Sequence, residues 1–377
     1  MRHSPKQDEP VYRTVTIHTV NKKGYGRGEA TTGGEVIVPY TIPGETVEAR
    51  KLRRKNGELV QILEPSPDRV QPPCRHFTRC GGCIWQHIAY EKQLELKRVK
   101  IERLLWDAKI PCPGAIAVHP SAPYEYRNRM DFLWWYTGDF GLRRRGAWHA
   151  MEKLDECRLL PAWAAEIAFE VNRRVQAEGL PFRDQKYGNR GLRYLILRRG
   201  VFTGEVMLSF VGDPLELPSR LWEGLEPVRS VYHLVNDNLD NDLSEGEPLH
   251  LWGEPTYREM ILGKEFWIGP RSFFQPNPAV AEAMVEHVRS LLERYPQAGR
   301  RLVDLYCGIG MFSVLLADRC EKVLGIEVVP EAILMAKRHG EGCNAEFVCM
   351  EAETIMPDTF FEYDTLLLDP PRAGLHP

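Results

Sequence analysis

The sequence predicts a multi-domain protein: a small all-β barrel, an α+β central domain opening with a cysteine loop, and an incomplete α/β Rossmann-like domain. Three observations carry this. Short alternating segments punctuated by glycine fill residues 11–66. Cys74, Cys80 and Cys83 crowd one short stretch. From about residue 278, short apolar segments alternate with helical ones, the pattern of a parallel sheet. A chain of 377 residues has room for these parts.

Composition narrows the class. Apolar residues make up 43% and charged residues 27%, an ordinary globular balance that excludes disordered and collagen-like chains. No apolar run reaches the roughly 18 residues of a membrane span. The start, MRHSPKQDEP, lacks the apolar core of a secretory signal. A cytoplasmic protein without membrane contact is expected. The net charge of −3 conceals an asymmetry. Residues 1–150 carry 25 Lys and Arg against 16 Asp and Glu; the remainder carries 24 against 36. A basic front joined to an acidic back points to a polyanionic partner, a nucleic acid.

The barrel comes first. VYRTVTIHTV, EVIVPY and TVEARKL alternate apolar and polar residues, and Gly24, Gly26, Gly28, Gly33, Gly34 and Gly44 supply turns. Arg50, Lys51, Arg53, Arg54 and Lys55 add positive charge suited to RNA. The proline-rich segment 64–74 is a joint.

CRHFTRCGGC follows, with spacing C-x5-C-x2-C. Three thiols on one loop call for a metal, since three packed free thiols have little structural reason to recur so closely. Cys157 is the best fourth ligand by position. Four thiolates suit a [4Fe–4S] cluster or zinc; zinc with His76 or His87 is the competing reading.

Residues 89–107 read as an amphipathic helix through Leu94, Val99, Ile101, Leu104 and Leu105. Residues 112–265 mix strand-like segments (YRNRMDFLWWY, LRYLILRRGVFTGEVMLSFVG) with one helix, AWAAEIAFEVNRRVQ. Arg127, Arg129, Arg193, Arg198 and Arg199 are candidate phosphate contacts. Phe132, Trp134 and Trp135 could stack bases, but aromatics in a strand are more often core.

The last part carries a nucleotide-type site. RRLVDLYCGIG is an apolar strand bearing Asp304 and ending in a Gly308-x-Gly310 turn that lets a ligand approach the backbone. Glu327 ends the next strand and is placed to accept ribose hydroxyls. Dinucleotide enzymes want a third glycine where Ser313 stands, so that fingerprint fails. S-adenosylmethionine (SAM) has no pyrophosphate and does not need it. Glu351 follows the third strand near the adenine edge, and Asp369 in LLLDPPR follows the fourth. Arg372 replaces the aromatic residue of amino-group methyltransferases, which counts against N-methylation.

Together CRHFTRCGGCIWQH, YRNRMDF, FFQPN, DLYCGIGMF and DPPRAGLHP resemble the RNA uracil-C5 methyltransferases, in particular the larger iron–sulfur type that makes 5-methyluridine. The resemblance implies an OB-like TRAM barrel at 1–69. It implies a central iron–sulfur and RNA-binding domain at 70–88 and 112–265, and a methyltransferase domain at 89–111 and 266–377. It implies that Cys74, Cys80, Cys83 and Cys157 bind the [4Fe–4S] cluster and that Gln275, Tyr306, Glu327 and Asp369 contact SAM, with Glu351 a looser match. Met311 stands where some members carry Asn. Ribosomal RNA is the expected substrate and transfer RNA the alternative; a catalytically inactive RNA-binding homologue is the reading of another class.

Uracil C5 is a poor nucleophile until a thiolate adds to C6; a base must later remove the C5 proton. The target base must be unstacked to reach such a site. The resemblance places the nucleophilic cysteine and the base beyond Pro377, so no catalytic residue is assigned and no turnover is expected. Cys307 matches a family cysteine that is not the nucleophile.

Overall fold

The computed structural model describes residues 10–112, 114–184, 190–236, 246–296, 300–354, 361–371 and 374. They divide into two compact units: Met1–Pro120 with Leu142–Leu154, and Ser121–Gly141 with Asp155–Pro377. This division differs from the three-part reading of the sequence. In particular, residues 89–111 fall within the first unit.

The first unit opens with five antiparallel strands. They are β1 (Tyr12–Val20), β2 (Gly26–Ala30), β3 (Glu35–Val38), β4 (Thr46–Lys51) and β5 (Gly57–Glu64), in the order β3-β2-β1-β4-β5. Alternation puts Val15, Ile17, Val36, Val38, Val47 and Ala49 on one buried face. The sheet curls toward closure: Ile37 N donates to Lys55 O at 2.7 Å, linking the β3 edge to the turn before β5. Helix α1 (Tyr90–Asp107) follows the cysteine loop. Its Leu96 joins Ile42 and Ile88 in a small core bordered by Val20 and Trp85. Trp85 Nε1 also donates to Gly24 O at 2.8 Å, so loop and barrel pack as one body.

The second unit holds a mixed sheet. Strand β6 (Arg129–Trp134) pairs with the first residues of β7 (Phe140–Arg144), which then runs into the first unit, where β8 (Ala147–Lys153) follows. After helix α2 (Ala162–Ala177) come β9 (Leu192–Arg199), β10 (Val206–Gly212), β11 (Val228–Val235) and β12 (Glu247–Gly253). The order is β12-β11-β10-β9-β6, antiparallel except for the parallel pair β10–β11. Every residue of β9 and β10 is buried, as befits central strands covered on both faces.

The hairpin β13 (Tyr257–Ile261) and β14 (Lys264–Ile268) leads to helix α3 (Pro278–Arg294). Asn277 caps α3 by accepting from Val280 N, and Pro278 starts it without losing a needed donor. A four-stranded parallel sheet completes the unit. It contains β15 (Arg301–Leu305), helix α4 (Met311–Leu316), β16 (Lys322–Glu327), helix α5 (Pro330–His339), β17 (Ala345–Cys349) and β18 (Thr365–Leu368). Its order is β17-β16-β15-β18. Among the described residues β18 is an edge strand, and its Leu366 and Leu368 are exposed.

Candidate functional site

The parallel sheet brings three carboxylates to one end. Asp304 lies on β15, Glu327 ends β16, and Asp369 follows β18, its other neighbour. That end is where ligands bind in open parallel sheets. Between β15 and α4 the chain turns through Gly308 and Gly310, with φ of 55° and 82°. Gly310 is required twice over. A side chain there would sit in the left-handed region, and its Cβ would lie 2.9 Å from the Phe347 ring. Tyr306 also takes a positive φ, 64°, which costs a bulky residue energy and marks the turn as over-determined.

Hydrogen bonds hold the turn. Gly308 N donates to Glu327 Oε2 at 3.1 Å. Glu327 Oε1 accepts from Val328 N and Val329 N at 2.8 and 3.0 Å. Asp304 Oδ2 accepts from Ser313 N and Ser313 Oγ at 3.1 and 2.6 Å. Ser313, which breaks the dinucleotide fingerprint, therefore serves as the partner of Asp304. Asp304 Oδ1 is buried and has no partner among the described residues. Burial pushes the Asp304 carboxyl up to about 7, against the two Ser313 bonds, with Asp369 and Glu327 adding repulsion. A site with three acids and an orphaned carboxylate oxygen suits a cationic, hydroxyl-bearing ligand.

Gln275 arrives from the loop between β14 and α3, and its Nε2 donates to Asp369 Oδ2 at 2.7 Å. The loop is itself pinned. Asn128 Nδ2 donates to Gln275 O at 2.8 Å, Asn128 N to Pro276 O at 3.1 Å, and Arg198 Nη1 to Ser272 O at 2.6 Å. Sequence reasoning missed Asn128 and Arg198 as supports of this loop. Glu351 sits exposed after β17, where its carbonyl accepts from Thr354 N. Among the described residues it is not drawn into the bonded set. Met311 is buried at the start of α4. Arg372 lies outside the described residues.

One group of candidates needs correction, and a second takes the core reading favoured from the sequence. Arg193, Arg198 and Arg199 are buried, and Arg199 donates to Arg127 O and Glu125 O at 3.0 and 2.6 Å. Arg198 and Arg199 brace backbone rather than offer charge to phosphate, and Arg193 lies over the Tyr194 ring at 5.8 Å. Phe132 and Trp134 are core residues: Phe132 stacks on Phe140 at 5.1 Å, and Trp134 Nε1 donates to Asn172 Oδ1. Trp135 is half-buried beside Tyr136. Arg127 and Arg129 lie at the start of β6, Arg129 bonded to Asp131 Oδ1 at 2.8 Å. Cys307 is buried, and burial with the nearby Asp304 and Glu327 charges holds its thiol well above the usual range, which disables it as a nucleophile.

In the first unit the cysteine loop is tightly held. Gly82 N donates to Cys80 Sγ at 3.3 Å, and Cys74 N to Gln86 Oε1 at 3.3 Å. Arg145 Nη2 donates to both Gly81 O and Cys83 O, at 2.8 and 2.6 Å. Burial raises the Cys80 thiol, and Cys83 and Cys74 reinforce the shift. Among the described residues no group of three or more His, Cys, Asp or Glu side chains is arranged to hold a metal ion. Cys157 falls in the second unit. No helix is long and apolar enough to cross a membrane among the described residues.

A parallel sheet with a glycine turn after its first strand and an acid at the tip of the second is shared by nucleotide-binding enzymes, and Ser313 in place of a third glycine points to the SAM-dependent methyltransferases among them. Residues 263–377 match the tRNA (uracil-5-)-methyltransferase family profile. An RNA methyltransferase of Nanoarchaeum equitans is 35% identical, covering 97% of this chain and 80% of that protein. The tRNA (uracil(54)-C(5))-methyltransferase of Pyrococcus furiosus is 32% identical, covering 96% of this chain and 84% of that protein. The chain therefore belongs to the RNA uracil-5 methyltransferase family. The crystal structure of Pyrococcus abyssi tRNA (uracil-54, C5)-methyltransferase in complex with S-adenosyl-L-homocysteine superimposes with a TM-score of 0.78. Its sequence is 30% identical, and the match covers 97% of this chain and 85% of that one.

Proposed function

We propose that the chain serves the C5 methylation of a uridine in transfer RNA. In this reading SAM is held by Gln275, Tyr306, Gly308, Gly310, Glu327, Asp369 and, more loosely, Glu351. The convergence of Asp304, Glu327 and Asp369 around the Gly308–Gly310 turn carries this reading. Bound there, SAM supplies a methyl group on a positively charged sulfur. Glu327, already oriented by Val328 N and Val329 N, retains acceptor capacity for ribose hydroxyls. The acids favour the cationic sulfonium over neutral ligands. No residue described here is assigned the nucleophile or base roles.

The names of the Pyrococcus relatives support transfer RNA over ribosomal RNA as substrate. The first five strands serve as a TRAM-like barrel at residues 1–69. In this reading the central domain spans 70–88 and 112–265, and the methyltransferase domain 89–111 and 266–377. Arg127 and Arg129 are the phosphate contacts. Cys74, Cys80 and Cys83 supply thiolates to the [4Fe–4S] cluster that the family resemblance implies. The bonds from Gly82 N to sulfur and from Arg145 to the loop carbonyls support a preformed cysteine loop.

Deletion of the gene in its source organism, followed by nucleoside mass spectrometry, tests the substrate. Loss of 5-methyluridine from transfer RNA is expected. Loss from ribosomal RNA alone would overturn the transfer RNA reading.

A further inference from the structure

His339 ends α5 and is 1% exposed. Both its ring nitrogens are engaged. Trp267 N donates to Nε2 at 2.9 Å, and Nδ1 lies 2.9 Å from Ile309 O. The backbone N–H of Trp267 can only donate, so Nε2 must be the unprotonated acceptor. Nδ1 then carries the proton and donates to the Ile309 carbonyl. The ring lies flat on the Trp267 indole, 5.7 Å between centroids at 9°, with Phe266 edge-on at 5.0 Å. Arg338 caps that indole at 4.3 Å. One side chain thus joins α5, β14 and the turn after β15.

We propose that His339 is a positioning residue for SAM binding, fixing the cofactor turn through Ile309. The inference rests on the assignment of that turn to SAM. Ile309 stands between Gly308 and Gly310, two residues whose left-handed backbones have no side chain to restrain them. Ile309 itself is 2% exposed, so an unpaired carbonyl there would be costly. With Ile309 O anchored, Gly308 N stays aimed at Glu327 Oε2, and the acid keeps its orientation toward the ligand. The hairpin residue Trp267 sets the tautomer, and the tautomer sets the turn. Neither Trp267 nor His339 needs to touch the cofactor for this.

Two substitutions separate the two bonds. In His339→Asn the amide nitrogen replaces Nδ1 and keeps the bond to Ile309 O while losing Trp267. In His339→Gln the amide oxygen replaces Nε2 and keeps Trp267 while losing Ile309. Both lose ring volume and one hydrogen bond. S-adenosylhomocysteine is titrated calorimetrically into the whole chain and both variants, with denaturant midpoints measured in parallel. Asn is expected to bind within about threefold of the parent and Gln about tenfold more weakly, at similar midpoints. Equal weakening in both, parental affinity in both, or the reverse ranking overturns the proposal. Gly310→Ala is the control for the turn assignment: parental affinity there refutes the assignment rather than the role of His339. Nitrogen-15 spectra of the parent imidazole need no variant to fold. A neutral ring protonated at Nδ1 is expected, and one protonated at Nε2 overturns the proposal.

Discussion

The Gln275 side-chain amide donates to Asp369 Oδ2 at 2.7 Å across 94 residues of sequence. This bond ties the loop ahead of α3 to the tip of β18. Asn128 holds the same loop through the Gln275 carbonyl. The site is assembled from the loop ahead of α3, the end of β15 with its turn, and the ends of β16 and β18, which lie far apart in sequence.

The first prediction concerns that bond. Hydrogen bonds to charged groups contribute about 1.5–3 kcal/mol. Gln275→Leu is expected to weaken S-adenosylhomocysteine binding by about tenfold or more. Asp369→Asn keeps an acceptor for Gln275 but removes a charge, so it should weaken SAM more than S-adenosylhomocysteine. Isothermal titration of both ligands checks this; equal losses would show that Asp369 does not sense the sulfonium.

Gly310 gives a second test. Its φ of 82° and its closeness to Phe347 both penalise a side chain. Gly342, with φ of 77° and open space around it, bears only the backbone cost. Gly310→Ala and Gly342→Ala should each lose about 1–2 kcal/mol for the left-handed backbone. Only the former should also lose ligand affinity and show an additional stability loss from the Phe347 clash. Matching denaturation curves and matching affinities would contradict this account.

Asp304 provides a pH dependence. Its carboxyl titrates near 7 in the folded chain, above its ordinary value of 3.8. The folded state therefore holds a proton that the unfolded chain releases. The associated stability is fully present below about pH 3.8 and is lost as pH rises through about 7. Asp304→Asn should flatten this fall and gain most over the parent above pH 7. A cationic sulfonium favours the ionised acid, so preference for SAM over S-adenosylhomocysteine should rise with pH across the same window. A preference that is flat from pH 5 to 8 would argue against contact between the cofactor's charge and Asp304.

The cysteine loop makes the fourth prediction. Protein purified without oxygen should be brown and carry about four irons with matching acid-labile sulfide. Arg145→Met, which removes the donors to Gly81 O and Cys83 O, should lower iron content without unfolding the barrel. Stoichiometric zinc in colourless protein would reject the cluster.

The sequence alone determined what local chemistry encodes. Period-two alternation marked β1, β3 and β4, since one face of each strand must be buried. The strand–glycine turn–helix order marked β15 and α4, because only glycine adopts the Gly308 and Gly310 backbone readily. Asp304 and Glu327 were legible because a strand end fixes where its last residues lie. Tertiary structure alone decided which groups meet. It turned Arg198 and Arg199 from apparent phosphate contacts into buried braces. It made His339, which the sequence did not single out, the neutral link between Trp267 and Ile309. The reason is physical. Backbone preference acts over a few residues, whereas burial and hydrogen-bond partnership depend on segments that the folded chain brings together from far apart.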